Sequence, residues 1–283
     1  MRFIQTVLRG IGQVMFQNNI YSGLLFLVGI FFNSWILGMA ALCGTIISTR
    51  AAQIFKYPKE DIRNGLYGFN GALTGIAVFC FFEVNVGTIT ALILGSILST
   101  VVMRFLKNRM PPFTAPFVLV SWFLIYSLVF IFKFPLLASS ASTENTLNLF
   151  TASSTSFGQV MFQENRITGL IFLLAIIINN RLMAAYALYA AVLGSVFGWV
   201  LSESNTAINA GLMGYNAILC AIALTGKKGT DFVWITVVIL LSTVFNIGLA
   251  LTGIITLTAP FVLATWMILA LKDKKFRFNK KVA

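Results

Sequence analysis

The sequence predicts an all-α polytopic membrane protein made of two inverted-topology repeats of five transmembrane helices each. Three observations carry that prediction. The chain of 283 residues is 58% hydrophobic and only 10% charged, with a mean hydropathy of +0.90, whereas water-soluble domains are roughly 45–50% apolar and about 25% charged. Short blocks recur in order at almost constant spacing. The basic residues fall almost entirely on one side of the membrane that such an arrangement implies.

The repeat is legible in three blocks. Gly-Gln-Val-Met-Phe-Gln at 12–17 returns at 158–163, and Gly65-Leu66-Tyr67-Gly68-Phe69-Asn70 returns as Gly211-Leu212-Met213-Gly214-Tyr215-Asn216, both displaced by 146 residues. Thr-Ala-Pro-Phe-Val-Leu at 114–119 returns at 258–263, displaced by 144. Ordered blocks at a near-constant offset indicate a duplicated unit. The first repeat is placed at 1–132, a polar linker at 133–156, the second repeat at 157–272 and a basic tail at 273–283.

Each repeat holds five apolar segments. They lie near 20–32, 35–54, 66–82, 86–106 and 113–132, then near 167–179, 182–201, 211–225, 231–252 and 257–271. Five is odd, so if all cross, the second half enters from the opposite side. With both termini inside, Lys133 and Arg166 alone among the 20 basic residues fall outside, as the positive-inside bias requires. Making the third segment of each half re-entrant fits less well, because it exports Arg104, Lys107, Arg109 and Arg181. The first segment of each half is too short for a span, which needs about 20 residues. Extending it backwards meets Gln17-Asn18-Asn19 and Gln163-Glu164-Asn165. A break is therefore expected there, with the Gly-Gln-Val-Met-Phe stretch as a short, tilted half-helix. Such irregular backbone survives at membrane depth only where protein or a water-lined cavity satisfies it.

The available chemistry is uncharged. There is no histidine, and no Asp, Glu, Lys or Arg sits at the centre of an apolar segment. Ion-coupled transporters carry such a group on the pathway, and membrane enzymes need a nucleophile with a base, a metal site or paired carboxylates. A passive pathway for a neutral solute is favoured, with no enzyme activity, cofactor or nucleic-acid partner expected. A non-transporting membrane assembly is the reading from another class. The cysteines Cys43, Cys80 and Cys220 lie inside apolar segments without metal-binding spacing and read as small buried hydrophobes. Thr114 and Thr258 each precede a proline by two residues, and proline frees backbone carbonyls nearby. If the halves are inverted, these hydroxyls should meet near the midplane. Phenylalanine is abundant, at 27 copies, so most of its rings belong to core or lipid contact. Gln13 and Gln159 are harder to assign to packing, because a buried amide needs partners.

At these residues the sequence resembles the urea transporter family, channel-like proteins of bacteria and animal kidney. The resemblance rests on "NGLYGFNGALTGIA" with its partner "NAGLMGYNAILCAIA", on both GQVMF blocks and on both TAPF blocks, and it spans roughly residues 5 to 271. It implies a homotrimer in the plasma or inner membrane, surrounded by lipid, with short re-entrant or broken pore helices and a pore between the halves of each protomer. It further implies a site at each mouth and a middle site with two threonines. By motif, Gln13, Phe16, Phe69 and Leu73 come from the first half and Gln159, Phe162, Tyr215 and Leu219 from the second. Thr114 and Thr258 match the middle site. Tyr215 stands where a Phe would complete a symmetric pair, and Gln159 where some members carry an acidic residue. The implied permeant is urea; acetamide, ammonia or water is the alternative. A planar molecule fits a slot between facing rings, with oxygen acceptors along its edge. One mouth is expected to mix side chains from both halves.

Overall fold

The computed structural model describes residues 2–137, 146–226 and 228–282, with side chains from 3 to 272 within those ranges. The polar run 138–145 of the expected linker, Lys227 and the side chains of the basic tail lie outside the described residues. Among the described residues the chain is helical with no strand, an all-α polytopic membrane protein. The first half contributes α1 (Arg2–Gln13), α2 (Ile20–Asn33), α3 (Trp35–Ile54), α4 (Lys59–Arg63), α5 (Gly68–Phe81), α6 (Val86–Lys107) and α7 (Ala115–Tyr126), which runs on into one π-helical turn, Ser127–Ile131. The second contributes α8 (Leu149–Gln159), α9 (Arg166–Asn179), α10 (Arg181–Val200), α11 (Asn205–Asn209), α12 (Tyr215–Ala223), α13 (Gly229–Leu251) and α14 (Ala259–Val282). Each of the ten apolar segments contains a helix. Among the described residues only α3, α6, α10 and α13 are long and apolar enough to cross a membrane alone.

Contacts between the halves come in reciprocal pairs. Ser22 donates to the carbonyl of Ala175 at 2.7 Å, and Thr168 donates to that of Gly29 at 3.0 Å. Asn33 Nδ2 donates to Gln163 Oε1 at 2.9 Å, and Asn179 Nδ2 to Gln17 Oε1 at 2.8 Å. Trp122 Nε1 reaches the carbonyl of Ile255 at 2.7 Å, and Trp266 Nε1 that of Pro111 at 2.8 Å. The rings of Phe26 and Phe172 meet each other edge to face, centroids 5.0 Å apart. Each member of a pair is the same contact with the halves exchanged, the mark of a self-complementary interface.

Two helices depart from the sequence expectation. The Gly-Gln-Val-Met-Phe blocks do not form half-helices; they terminate them. Helix α1 ends at Gln13 and α8 at Gln159, and Val14–Phe16 and Val160–Phe162 turn away. The body of each half-helix precedes its block, and both were hidden by polar composition. Helix α1 carries Arg2, Gln5 and Arg9. In α8 the run Thr151-Ala152-Ser153-Ser154-Thr155-Ser156 is buried throughout, inside the stretch expected as linker. Three of its hydroxyls donate to carbonyls: Thr155 to Thr151 at 2.8 Å, Ser156 to Ala152 at 2.6 Å and Ser154 to Arg166 at 2.6 Å, whereas Thr151 Oγ1 is buried without a partner among the described residues. A Ser/Thr-rich segment is thus compatible with burial when most of its hydroxyls bond to backbone.

Gly65 and Gly211 fix how these half-helices pack. Both have positive φ, +76° and +82°, and a Cβ on either would strike the backbone amide of Gly10 or of Ser156 respectively. Only glycine meets both demands. At the other end of the second half, Asp231 accepts from the backbone of Lys228 at 3.1 Å and pairs with Lys272 at 3.4 Å. These contacts tie the start of α13 to the last described side chains of α14.

Candidate functional site

The site begins where α7 and α14 start. Pro116 and Pro260 lie in the first turn of their helices, where a missing N–H costs nothing, rather than inside a helix that they would unsettle. The two helices therefore start inside the protein, at Thr114 and Thr258. There the hydroxyl oxygens lie 2.6 Å apart, hydrogen-bonded to each other, and the threonines are 1% and 2% exposed. The asparagine of each Gly-Phe/Tyr-Asn block holds this junction. Asn70 Oδ1 accepts from the backbone N–H of Phe117 at 3.1 Å, and Asn216 Oδ1 from that of Phe261 at 3.3 Å. Each asparagine thus satisfies an orphan donor in the first turn of a half-helix.

A cavity reaches each threonine from its own side. The first, about 250 Å³, is lined by Gln13, Phe16, Phe69, Phe113 and Thr114, with Lys107 and Pro111 among its other residues. The second, about 680 Å³, is lined by Gln159, Phe162, Tyr215 and Thr258, together with Asn33, Cys80 and Phe81 of the first half. Eight of the ten expected site residues therefore line one cavity or the other. Leu73 and Leu219 do not: both are fully buried in the core. The second cavity mixes the halves. The first is lined by its own half, with Phe261 touching its rings.

The polar groups differ between the two sides. Gln13 Nε2 donates to the carbonyl of Asn64 at 2.9 Å, which leaves Oε1 as the acceptor. Gln159 has no side-chain hydrogen bond among the described residues, so its whole amide is available. In the segment entering α7, the Phe113 carbonyl accepts no hydrogen bond among the described residues. Its counterpart at Leu257 accepts from the Tyr215 hydroxyl at 2.5 Å, and that hydroxyl also lies 3.1 Å from Thr256 Oγ1. The tyrosine hydroxyl thus occupies a wall carbonyl.

Aromatic rings frame both cavities. Phe16 meets Phe113 and Phe261 edge to face, each at 6.1 Å, and Phe162 meets Phe117 at 6.2 Å and Phe81 at 6.0 Å. Phe16 and Phe69 both line the first cavity, and no ring contact joins them among the described residues. Phe16 and Phe162 have φ of 60°, and Phe113 and Leu257 of 46°. Left-handed backbone at bulky residues costs of order 1–3 kcal/mol each and persists where the surroundings over-determine it. Here it turns the chain away from each half-helix.

Sequence reasoning missed Phe81, Phe113, Phe117 and Phe261, the capping role of Asn70 and Asn216, and the staples Gln17 and Gln163. It also missed Glu164, which lines the second cavity and brings it a carboxylate although Gln159 carries none. The asparagines could have been found, since both stand in a repeated block. Phe117 and Phe261 could have been found as well, as the Phe of the repeated Thr-Ala-Pro-Phe block, whereas nothing in one sequence separates Phe81 and Phe113 from the other phenylalanines. Among the described residues no group of His, Cys, Asp or Glu is placed to hold a metal.

Two cavities meeting at a pair of buried, uncharged hydroxyls, inside an all-helical membrane protein, define a protein of the transporter class. Comparison with known proteins gives the family. The urea transporter family model matches residues 4–273. Urea transporter 1 of Ovis aries is 30% identical over 304 residues, covering 97% of this chain and 78% of the relative. Urea transporter 1 of Rattus norvegicus is 31% identical over 247 residues, covering 80% of this chain and 64% of the relative. The chain belongs to the urea transporter family.

Proposed function

We propose that this protein conducts urea passively down its concentration gradient, along a path from one cavity to the other between Thr114 and Thr258. The observation that carries the reading is that hydroxyl pair, with a Gln and facing aromatic residues lining the cavity on each side. Urea is planar and neutral, with one acceptor and two NH2 groups. The cavity lined by Phe16 and Phe69 has room for a molecule of this size, and Gln13 Oε1 with the Phe113 carbonyl offers acceptors to its NH2 groups. Phe162, Tyr215 and Gln159 play the matching part opposite. Leaving an amide hydrogen bond unmade in a buried site costs about 1–3 kcal/mol, so solutes that cannot pair with these oxygens are rejected. Binding at each step stays weak enough for release. No ionisable group stands at the hydroxyl pair, which supports uncoupled flux rather than pumping or enzyme chemistry.

The two halves lie inverted, as repeats of five helices meeting at the pore. The reciprocal contacts between them support this arrangement, and so does the odd number of apolar segments per half. The C-terminal ends of α3 and α6 lie together, with the Arg104 guanidinium 5.7 Å from the Tyr57 ring just beyond α3, and Arg50, Arg104 and Lys107 stand near those ends. That basic end faces the cytoplasm, together with both termini, in the plasma or inner membrane. The protein works as a homotrimer with one pore per protomer.

The test is stopped-flow light scattering of proteoliposomes under inward gradients of urea, acetamide and glycerol in turn. Fast urea entry with poor glycerol entry is expected, independent of sodium or a proton gradient. Equal rates for all three would show a wider pore for small neutral solutes in general. No flux above empty liposomes from folded protein would overturn the reading.

A further inference from the structure

A third cavity lies apart from the two that reach the threonines. It measures about 750 Å³ and lies between the first turns of α1, the last turns of α3 and the segment entering α4. Arg50, Lys56, Lys59 and Arg63 line it, with the rings of Phe3 and Tyr57, and no carboxylate does. Arg50 is held in place, its guanidinium 4.0 Å over the Phe3 ring and 3.1 Å from Gln53 Oε1. None of the four cations forms an ion pair among the described residues. The nearby carboxylate Asp61 pairs with Lys107 instead, and Glu60 is exposed without lining the cavity.

The other half of the protein provides an internal control. At the same displacement of 146, the four positions hold Val196, Ser202, Asn205 and Asn209. The fold is kept without the charges. Lys56 and its counterpart Ser202 share a left-handed backbone, with φ of 55° and 63°. Arg9 donates to the carbonyl of Arg63 at 3.4 Å, and its counterpart Thr155 donates to that of Asn209 at 2.6 Å. A general bias of basic residues toward one side of a membrane explains their sign. It does not explain why four of them surround one cavity that holds no counter-charge. Apolar side chains stand exposed on the same turns: Ile4, Ile54 and Phe55.

We propose that this cavity binds the phosphate headgroup of an anionic phospholipid, with its acyl chains lying along Ile4, Ile54 and Phe55. Clustered Lys and Arg at the end of a membrane helix attract such headgroups, and the arginines add paired N–H donors suited to phosphate. The exposed apolar flank favours a lipid over a free phosphate. The site is independent of which solute crosses the pore.

Native mass spectrometry of purified protein, with phosphatidylglycerol or phosphatidylcholine of identical chains, tests this directly. Wild-type protein should retain phosphatidylglycerol on the order of tenfold better than phosphatidylcholine. The variant R50Q/K56Q/K59Q/R63Q should lose that preference, while K133Q/R181Q, which neutralises cations elsewhere, should keep it. The double variant K56Q/K59Q changes exposed side chains only and should lose part of it, which keeps the test valid if the quadruple variant does not fold. Inorganic phosphate added in excess should not displace the lipid. Equal retention of both lipids by wild type, or a preference surviving in a folded quadruple variant, would overturn the proposal. Displacement by inorganic phosphate would assign the cavity to a free anion and overturn the lipid.

Discussion

The two cavities on either side of the threonine pair are copies of one unit, yet they are not alike. The first holds about 250 Å³ and the second about 680 Å³. In the first, Phe69 leaves the Phe113 carbonyl free, and Gln13 is pinned to the carbonyl of Asn64. In the second, Tyr215 covers the Leu257 carbonyl, the Gln159 amide is unrestrained, and Glu164 brings a charge. What duplication preserved is the junction itself: two half-helix starts, two asparagine caps, two threonines. What diverged is how many acceptors each side offers. The geometry of the crossing point is thus held by the repeated residues, and the properties of each mouth by the residues that differ.

Four substitutions sharpen this comparison, beginning with the largest effect. Asn70→Ala and Asn216→Ala each remove the acceptor for a half-helix N–H, at a cost of about 1–3 kcal/mol. Asn216 should cost more, because its Nδ2 also lies 3.4 Å from the Leu257 carbonyl and 3.5 Å from Asn246 Oδ1. The Nδ2 of Asn70 is buried without a partner. Thermal unfolding in detergent should therefore show N216A melting below N70A, and the reverse order would contradict the contrast drawn here.

Tyr215→Phe makes the second cavity resemble the first. It removes one hydrogen bond, worth about 1 kcal/mol of stability, and frees the Leu257 carbonyl. Urea flux should rise by about two- to threefold, if a freed acceptor lowers the barrier by roughly half a kcal/mol. Flux that falls in Y215F would mean that the hydroxyl itself contacts the permeant. The smallest effect belongs to Glu164→Gln. Urea is neutral, so loss of this charge should change its permeability by less than about twofold. A larger change in the same liposome assay would place the carboxylate on the path as a hydrogen-bond acceptor.

The helical class, the membrane setting and the meeting of Thr114 with Thr258 were all legible in the sequence, because hydropathy and repeated blocks report them directly. Helices α1 and α8 were not. Hydropathy reads Thr151–Ser156 as linker, whereas Ser154, Thr155 and Ser156 spend their hydroxyls on carbonyls and so bury without exposed polar groups. The block 12–17 was correctly singled out but misplaced by one turn, since Phe16 has no sequence signal for its left-handed backbone. Leu73 and Leu219 followed from resemblance, and the structure buries both in the core. The sequence shows the Tyr215 hydroxyl only as a departure from Phe in the repeated block. Its bond to Leu257 depends on a loop 42 residues away, which no local pattern can reveal.

The central claim is that solute passes between the two hydroxyls, and the double substitution Thr114→Val with Thr258→Val tests it most directly. Valine keeps the shape of threonine and removes both hydrogen-bonding groups, a loss of about 1–3 kcal/mol in a buried site. Measured by stopped-flow in proteoliposomes, with oligomeric state and melting temperature matched to wild type, urea permeability should fall on the order of tenfold. Unchanged permeability in the folded double variant would place the path elsewhere and contradict the account.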